Sequence, residues 1–159
     1  MITVVLDDPE MMLAKVIGGM RSIVARSAGV TDAKKAGMSG LTIDEDGMIA
    51  EYAFCKHFNL FPMISPSPRS GSYDCVMNGK RIDVKSTRYK DGRLLATLKD
   101  NPDVDLYVLA IVDGGTVTFP GYATKSQLCR EENVQDLGRG SGYVMTQDKL
   151  TAFKHGTTS

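Results

Sequence analysis

The sequence predicts an α/β domain built on a mixed β-sheet. Three observations carry this. Two stretches of helical periodicity come first in the chain. An Asn78-Gly79 pair then separates two alternating runs, the strongest short signal for a hairpin. Beyond it, the uninterrupted apolar run Leu106 to Val112 has the length of a buried strand. The chain has 159 residues, 42% hydrophobic and 24% charged, which suits one ordinary globular domain and excludes a disordered or fibrous chain. Within that single unit, residues 1–43 are expected to form an N-terminal helix and a connection. Residues 44–153 form the core and 154–159 a loose tail.

The first helix is expected to start at Asp8, with Pro9 at the first helical position and Gly29 as the stop. Met12, Leu13, Val16, Ile17, Met20 and Val24 recur at helical spacing and form its apolar stripe. Gly18-Gly19 weakens the helix by about 1 kcal/mol per glycine. Residues 29–43 read as a connection. A second helix follows from about Asp44 to Phe58, with Met48, Ile49, Tyr52 and Ala53 inward and Glu51 at the edge of that stripe. Pro62, Pro66 and Pro68 make Phe61 to Ser72 a loop. Further strands are expected near Leu94 to Leu98 and from Thr116 to Phe119. Thr124 caps a short helix through Leu128, Tyr143 to Met145 is a strand, and Asp148 to Phe153 a last short helix.

A two-residue turn at Asn78-Gly79 fixes the pairing by arithmetic. Met77 faces Lys80, Val76 faces Arg81, Cys75 faces Ile82, and Asp74 faces Asp83. Two carboxylates directly opposite destabilise a sheet unless something neutralises them. A shared proton, a basic neighbour or a bound divalent cation would each do so. Lys85 lies on the same strand face as Asp83. Alternatively, Asp83 between Arg81 and Lys85 is part of a solvated charged face.

Asp74, followed after eight residues by Asp83-Val84-Lys85, resembles the PD-(D/E)xK nuclease signature, with Tyr73 in the place of its proline. Glu51 in Gly47-Met-Ile-Ala-Glu51-Tyr-Ala resembles the helix that supplies a further acid in that superfamily. Asp105-Leu-Tyr-Val-Leu-Ala-Ile-Val resembles the strand after the lysine strand. Gly121-Tyr-Ala-Thr-Lys125 and Tyr143, Leu150 and Phe153 are similar to small phage or prophage members. The resemblance covers residues 44 to 153. It implies a restriction-endonuclease-like core, a central mixed sheet flanked by helices, and phosphodiester hydrolysis dependent on Mg²⁺ or Mn²⁺. It also implies roles: Asp74, Asp83, Glu51 and the Val84 carbonyl on the metal, and Lys85 on the attacking water. Ser86 is a weaker candidate for phosphate.

Charge bears on the partner. Lys+Arg and Asp+Glu each number 19, so this is no basic coat protein. Yet residues 78–99 hold seven basic and two acidic side chains, a local +5 beside the candidate site. Arg88, Lys90 and Arg93 are therefore candidate phosphate contacts to DNA. The alternative for such a run is a solvated face. Cys55, Cys75 and Cys129 are an odd count that fits a reducing cytosol, bacterial if a phage encodes the protein. With His57 they match no zinc-ligand spacing. No apolar run spans a bilayer. The leading expectation is a DNA endonuclease, with the amphipathic first helix a candidate homodimer interface. The alternatives are a Holliday-junction resolvase or other structure-selective enzyme, a non-catalytic nucleic-acid-binding or assembly protein, and a protein-only interaction module.

Overall fold

The computed structural model describes residues 1–27, 39–63 and 73–154. The expected stop at Gly29, most of the expected connection, Pro66 and Pro68, and the tail from His155 lie outside these residues. The elements are β1 (Ile2–Val5), α1 (Asp8–Ser27), α2 (Gly40–Phe58), β2 (Cys75–Met77), β3 (Lys80–Thr87), β4 (Leu94–Thr97), β5 (Leu106–Asp113), β6 (Thr116–Thr124), α3 (Lys125–Leu128), β7 (Val134–Asp136) and β8 (Ser141–Met145). Among the described residues no helix is long and apolar enough to cross a membrane.

Five strands form the main sheet in the order β1-β6-β5-β3-β2, and β4-β8-β7 form a second sheet. Only the β3–β5 pair in the main sheet is parallel. Parallel neighbours need a crossover, and here β4 supplies it by leaving for the second sheet. The expected strand at Leu94 therefore exists but does not join the central sheet.

α1 begins at Asp8 because Asp7 caps it. The Asp7 carboxylate accepts the Glu10 N–H at 2.8 Å, and the Glu10 carboxylate accepts the Asp7 N–H at 2.8 Å. This is a reciprocal capping box, and it moves Pro9 to the second helical position. α2 starts earlier than the sequence suggests. Ser39 accepts the Thr42 N–H at 3.2 Å and so caps a helix that opens at Gly40. Its far end stops at Asn59, which adopts the left-handed conformation at φ 53°.

The two long helices pack on each other, and Gly18 makes this possible. A Cβ there would sit 2.8 Å from Glu45 Cα and 2.9 Å from the Asp44 carbonyl. The glycine that weakens the isolated helix is thus required by the backbone approach. α1 buries Ala14, Ile17, Gly18 and Ser22. Of the expected stripe, Ile17 is buried and Val24 half-buried, whereas Met12, Leu13, Val16 and Met20 face outward. Close helix contact selects small residues, so hydrophobicity alone placed the buried face only in part.

One core lies between the helices and the sheet, built from Phe54, Met48 and Ala50 of α2 with Ile82, Val84, Val108 and Phe119. Phe54 meets Phe119 edge-on at 5.6 Å between ring centroids. The opposite sheet face packs Tyr107, Leu109 and Ala123 against Leu94, Leu128 and Met145. Helices therefore cover one face, and the small sheet with α3 covers the other, which revises the expectation of flanking helices.

Four local expectations change. β1 is an additional edge strand on β6, and β7 an additional strand on β8. β6 continues past Phe119 to Thr124 because it pairs with β1 along its first half and with β5 along its length. The expected helix from Asp148 to Phe153 is a turn at Gln147–Lys149 followed by a backbone bridge, with Tyr122 N–H to the Thr151 carbonyl at 3.0 Å and the reverse bond at 2.8 Å. A Cβ on Gly121 would lie 2.6 Å from that carbonyl. Six residues make a marginal helix, and the open sheet at Gly121 offers better hydrogen bonds.

Candidate active site

The hairpin sets the geometry. Asn78 and Gly79 have φ of 50° and 74°, as a two-residue primed turn requires. Met77, Val76 and Cys75 pair with Lys80, Arg81 and Ile82, the register expected. The ladder then ends. Asp74 lies in a bend, not in a strand pair with Asp83. Its N–H still reaches the Ile82 carbonyl at 2.7 Å, and its carboxylate turns to accept the Val84 N–H at 2.7 Å. A side chain thus replaces the next rung of the sheet.

Because β2 stops at Cys75, no strand among the described residues pairs with this edge of β3 from residue 83 onward, and groups from both sheet faces meet around it. Asp83 comes from the side that carries Tyr107, its register partner. Glu51 comes from α2 on the other side. Asp83 is 8% exposed and Glu51 9%. Lys85 returns to the face of Asp83, and its ammonium donates to the Asp83 carboxylate at 2.8 Å. The Val84 N–H points to the side where Asp74 lies, and in an extended strand the same residue's carbonyl points there too.

The acids repel one another. Burial, reinforced by the charges of Glu51 and Asp83, holds the Asp74 carboxyl well above the usual carboxylate range. The Val84 N–H and Lys85 pull the other way and are outweighed. Sequence reasoning missed the cation that serves Glu51. Arg21 of α1 donates to Glu51 Oε2 at 2.9 Å and also to the Met63 carbonyl. Arg21 lies thirty residues from Glu51, and no local pattern joins them. Cys55, one turn beyond Glu51, shares a thiol hydrogen bond with Cys75, and both are buried. His57 packs edge-on against Phe58.

The candidate DNA contacts separate. Arg88 is taken up by the fold: its guanidinium grips buried Asp46 through two bonds of 2.6 and 3.0 Å. Asp46 was no candidate, since its partner lies forty-two residues away. Ser86 is half-buried in β3. Lys90 and Arg93 are exposed on the β3–β4 loop, and neither forms an ion pair among the described residues. Gln147 holds that loop by donating to the Lys90 and Gly92 carbonyls at 2.8 and 2.9 Å.

Three carboxyl groups, an outward carbonyl and a lysine form an oxygen-rich donor set of the kind hard divalent cations take. Among the described residues the acids do not converge into a preformed cage, because Asp83, Glu51 and Asp74 are each turned to a donor of their own. Mg²⁺ takes one or two carboxylates and keeps several waters, so a preformed cage is not a requirement for it. No family model, curated protein or solved structure matches the chain.

Proposed function

We propose that this protein is a metal-dependent DNA endonuclease with a restriction-endonuclease-like core. One observation carries the reading. Asp74, Asp83, Glu51 and Lys85 come from an edge bend, a strand and a helix to one strand edge, and there burial, reinforced by the acidic neighbours, forces the Asp74 carboxyl up. A fold has little reason to bury like charges together unless a cation belongs among them.

In this reading Asp74, Asp83 and the Val84 carbonyl hold Mg²⁺ or Mn²⁺, with Glu51 as a further ligand. When bound, the metal supplies a more acidic water and neutralises charge on the scissile phosphate. Lys85 orients the attacking water and offsets charge developing on phosphate oxygens. The Val84 N–H fixes the Asp74 carboxylate, and Arg21 fixes Glu51. Lys90 and Arg93 contact phosphates along the substrate, which makes binding weaken as salt rises.

The test is incubation with supercoiled, branched and single-stranded DNA in Mg²⁺, Mn²⁺ or chelator, beside Lys85→Ala. Metal-dependent cutting that is lost in Lys85→Ala is the expected result, and preference for branched DNA would narrow it to a resolvase. No cutting of any substrate, with no metal-induced rise in melting temperature, would overturn the catalytic reading and leave a binding module.

A further inference from the structure

We propose that Tyr89 stacks on an unpaired base of the substrate, so that the site favours single-stranded or branched DNA over continuous duplex. The inference rests on the nuclease reading and deepens it by naming the substrate class.

Tyr89 opens the β3–β4 loop, directly beyond the candidate site. Asp83, Lys85 and Thr87 alternate onto one face of β3. Past Thr87 the chain divides its side chains between the two faces. Arg88 reaches Asp46 of α2 on the helix side of the sheet. The loop folds onto the other face. The Tyr89 N–H donates to Thr87 Oγ1 at 3.2 Å, and a Cβ on Gly92 would lie 2.4 Å from Thr87 Cγ2. The loop therefore stands on the side of the sheet that carries Lys85. Four residues of extended chain limit the backbone distance from Lys85 to Tyr89 to about 13 Å. That is roughly four steps along a nucleic-acid strand.

The loop is braced, and its aromatic ring is left outside. The Gly92 N–H closes a turn on the Tyr89 carbonyl at 2.9 Å. Gln147 donates to the Lys90 and Gly92 carbonyls at 2.8 and 2.9 Å. These bonds occupy backbone groups and leave the side chains outward. Tyr89 is 67% exposed, and its ring meets no other ring among the described residues. An exposed apolar residue by itself is ordinary. What sets Tyr89 apart is a stiff loop, cations on that loop, and a place beside the lysine of the site.

Charge selects the occupant. Lys90 and Arg93 are exposed and form no ion pair among the described residues, while Asp91 between them offsets one of the two charges. A polyanion that also carries flat aromatic groups matches this arrangement, with phosphates on Lys90 and Arg93 and a base on Tyr89. In continuous duplex the neighbouring bases cover both faces of each base. Tyr89 finds a partner only where a base has left the stack.

Fluorescence anisotropy of the full chain with labelled DNA in chelator measures binding without cutting. The probes are a single strand, its blunt duplex and a branched DNA with unpaired bases. The single strand and the branch should bind more tightly than the duplex. Tyr89→Ala should weaken both by roughly tenfold and narrow their advantage over duplex, at an unchanged melting temperature. Tyr89→Phe should restore them. A 2-aminopurine in the single strand should be quenched by the parent and not by Tyr89→Ala. Lys90→Gln should weaken all three DNAs alike and flatten the salt dependence. Equal affinity for duplex and single strand, a Tyr89→Ala loss that is the same for both, or no rescue by Tyr89→Phe overturns the proposal. So does tighter binding of single-stranded RNA than of single-stranded DNA. Cutting in Mg²⁺ separates the two readings. A protein that cuts duplex and is indifferent to Tyr89→Ala keeps the nuclease reading and loses this proposal. One that holds single strands through Tyr89 and never cuts keeps the stacking contact and loses the nuclease reading.

Discussion

Strand β3 meets one acid at its start and a group of acids at its middle, and the two behave in opposite ways. At the start of the strand, Asp105 accepts the Arg81 N–H at 2.8 Å and two guanidinium bonds at 3.1 and 3.2 Å. Those bonds hold its carboxyl down at about 2. Three residues on, beside Val84, burial together with two neighbouring acids pushes the Asp74 carboxyl up. The first group closes an account of charges. It latches the parallel β3–β5 pair, since Asp105 N–H also bonds the Arg81 carbonyl at 2.9 Å. The second gathers three acids in one buried place, two of them paired with cations from elsewhere in the chain. A matched pair marks a structural latch, and a gathering of buried acids marks a candidate site.

Substitutions at the two groups should therefore weigh activity against stability differently. The largest effect is expected for Lys85→Ala, which should lower metal-dependent cutting on the order of 10²–10³-fold, beside a smaller loss of stability because buried Asp83 loses its partner. Equal activity in the variant would remove Lys85 from the chemistry. Next comes Arg21→Met, which strands Glu51 in a site where both side chains are largely buried. A loss of about 3 kcal/mol in urea unfolding is expected, and saturating Mg²⁺ should recover more stability in this variant than in the parent. Recovery no greater than in the parent would argue that Glu51 never meets the metal.

Asp105→Asn should lower the melting temperature by a few degrees near neutral pH. The sign follows from linkage: a carboxyl held below its unfolded value stabilises above the unfolded pKa and loses that contribution as pH falls toward about 2. The gap between parent and variant should thus narrow as pH drops below about 4. Thermal scans across pH would read it, and a constant gap would mean packing, not charge. The smallest effect, and of opposite sign, is expected for Asp74→Asn. A carboxyl held above its unfolded value favours folding at low pH and loses that contribution as pH rises. Removing its charge should raise the metal-free melting temperature at pH 8. A fall at pH 8 would show the acidic group to be balanced after all.

Much of this was legible in the chain. Asn78-Gly79 sets the register of β2 and β3 residue by residue, because the turn type admits one pairing. The strand at Leu106 and the common strand face of Asp83 and Lys85 were legible for the same reason: each rests on neighbours within a few residues. The missed features rest on distance. β1 and β7 are strands of four and three residues whose pattern is too short to read, and they exist because β6 and β8 offer them an edge. Arg88 looked like a phosphate contact until Asp46 met it from α2.

The sequence by itself determined the α/β class, the hairpin and the shared strand face of Asp83 and Lys85, since turn chemistry and alternation are local. Only the tertiary structure decided how those acids are held. It closed the β2–β3 pairing at Cys75 and left Asp74 outside it, brought Arg21 to Glu51, and turned the large residues of α1 outward because Gly18 lets two helix backbones touch. Local patterns state what each residue prefers; packing decides which preferences are met, because a buried surface accepts only the shapes and charges that its distant neighbours complement.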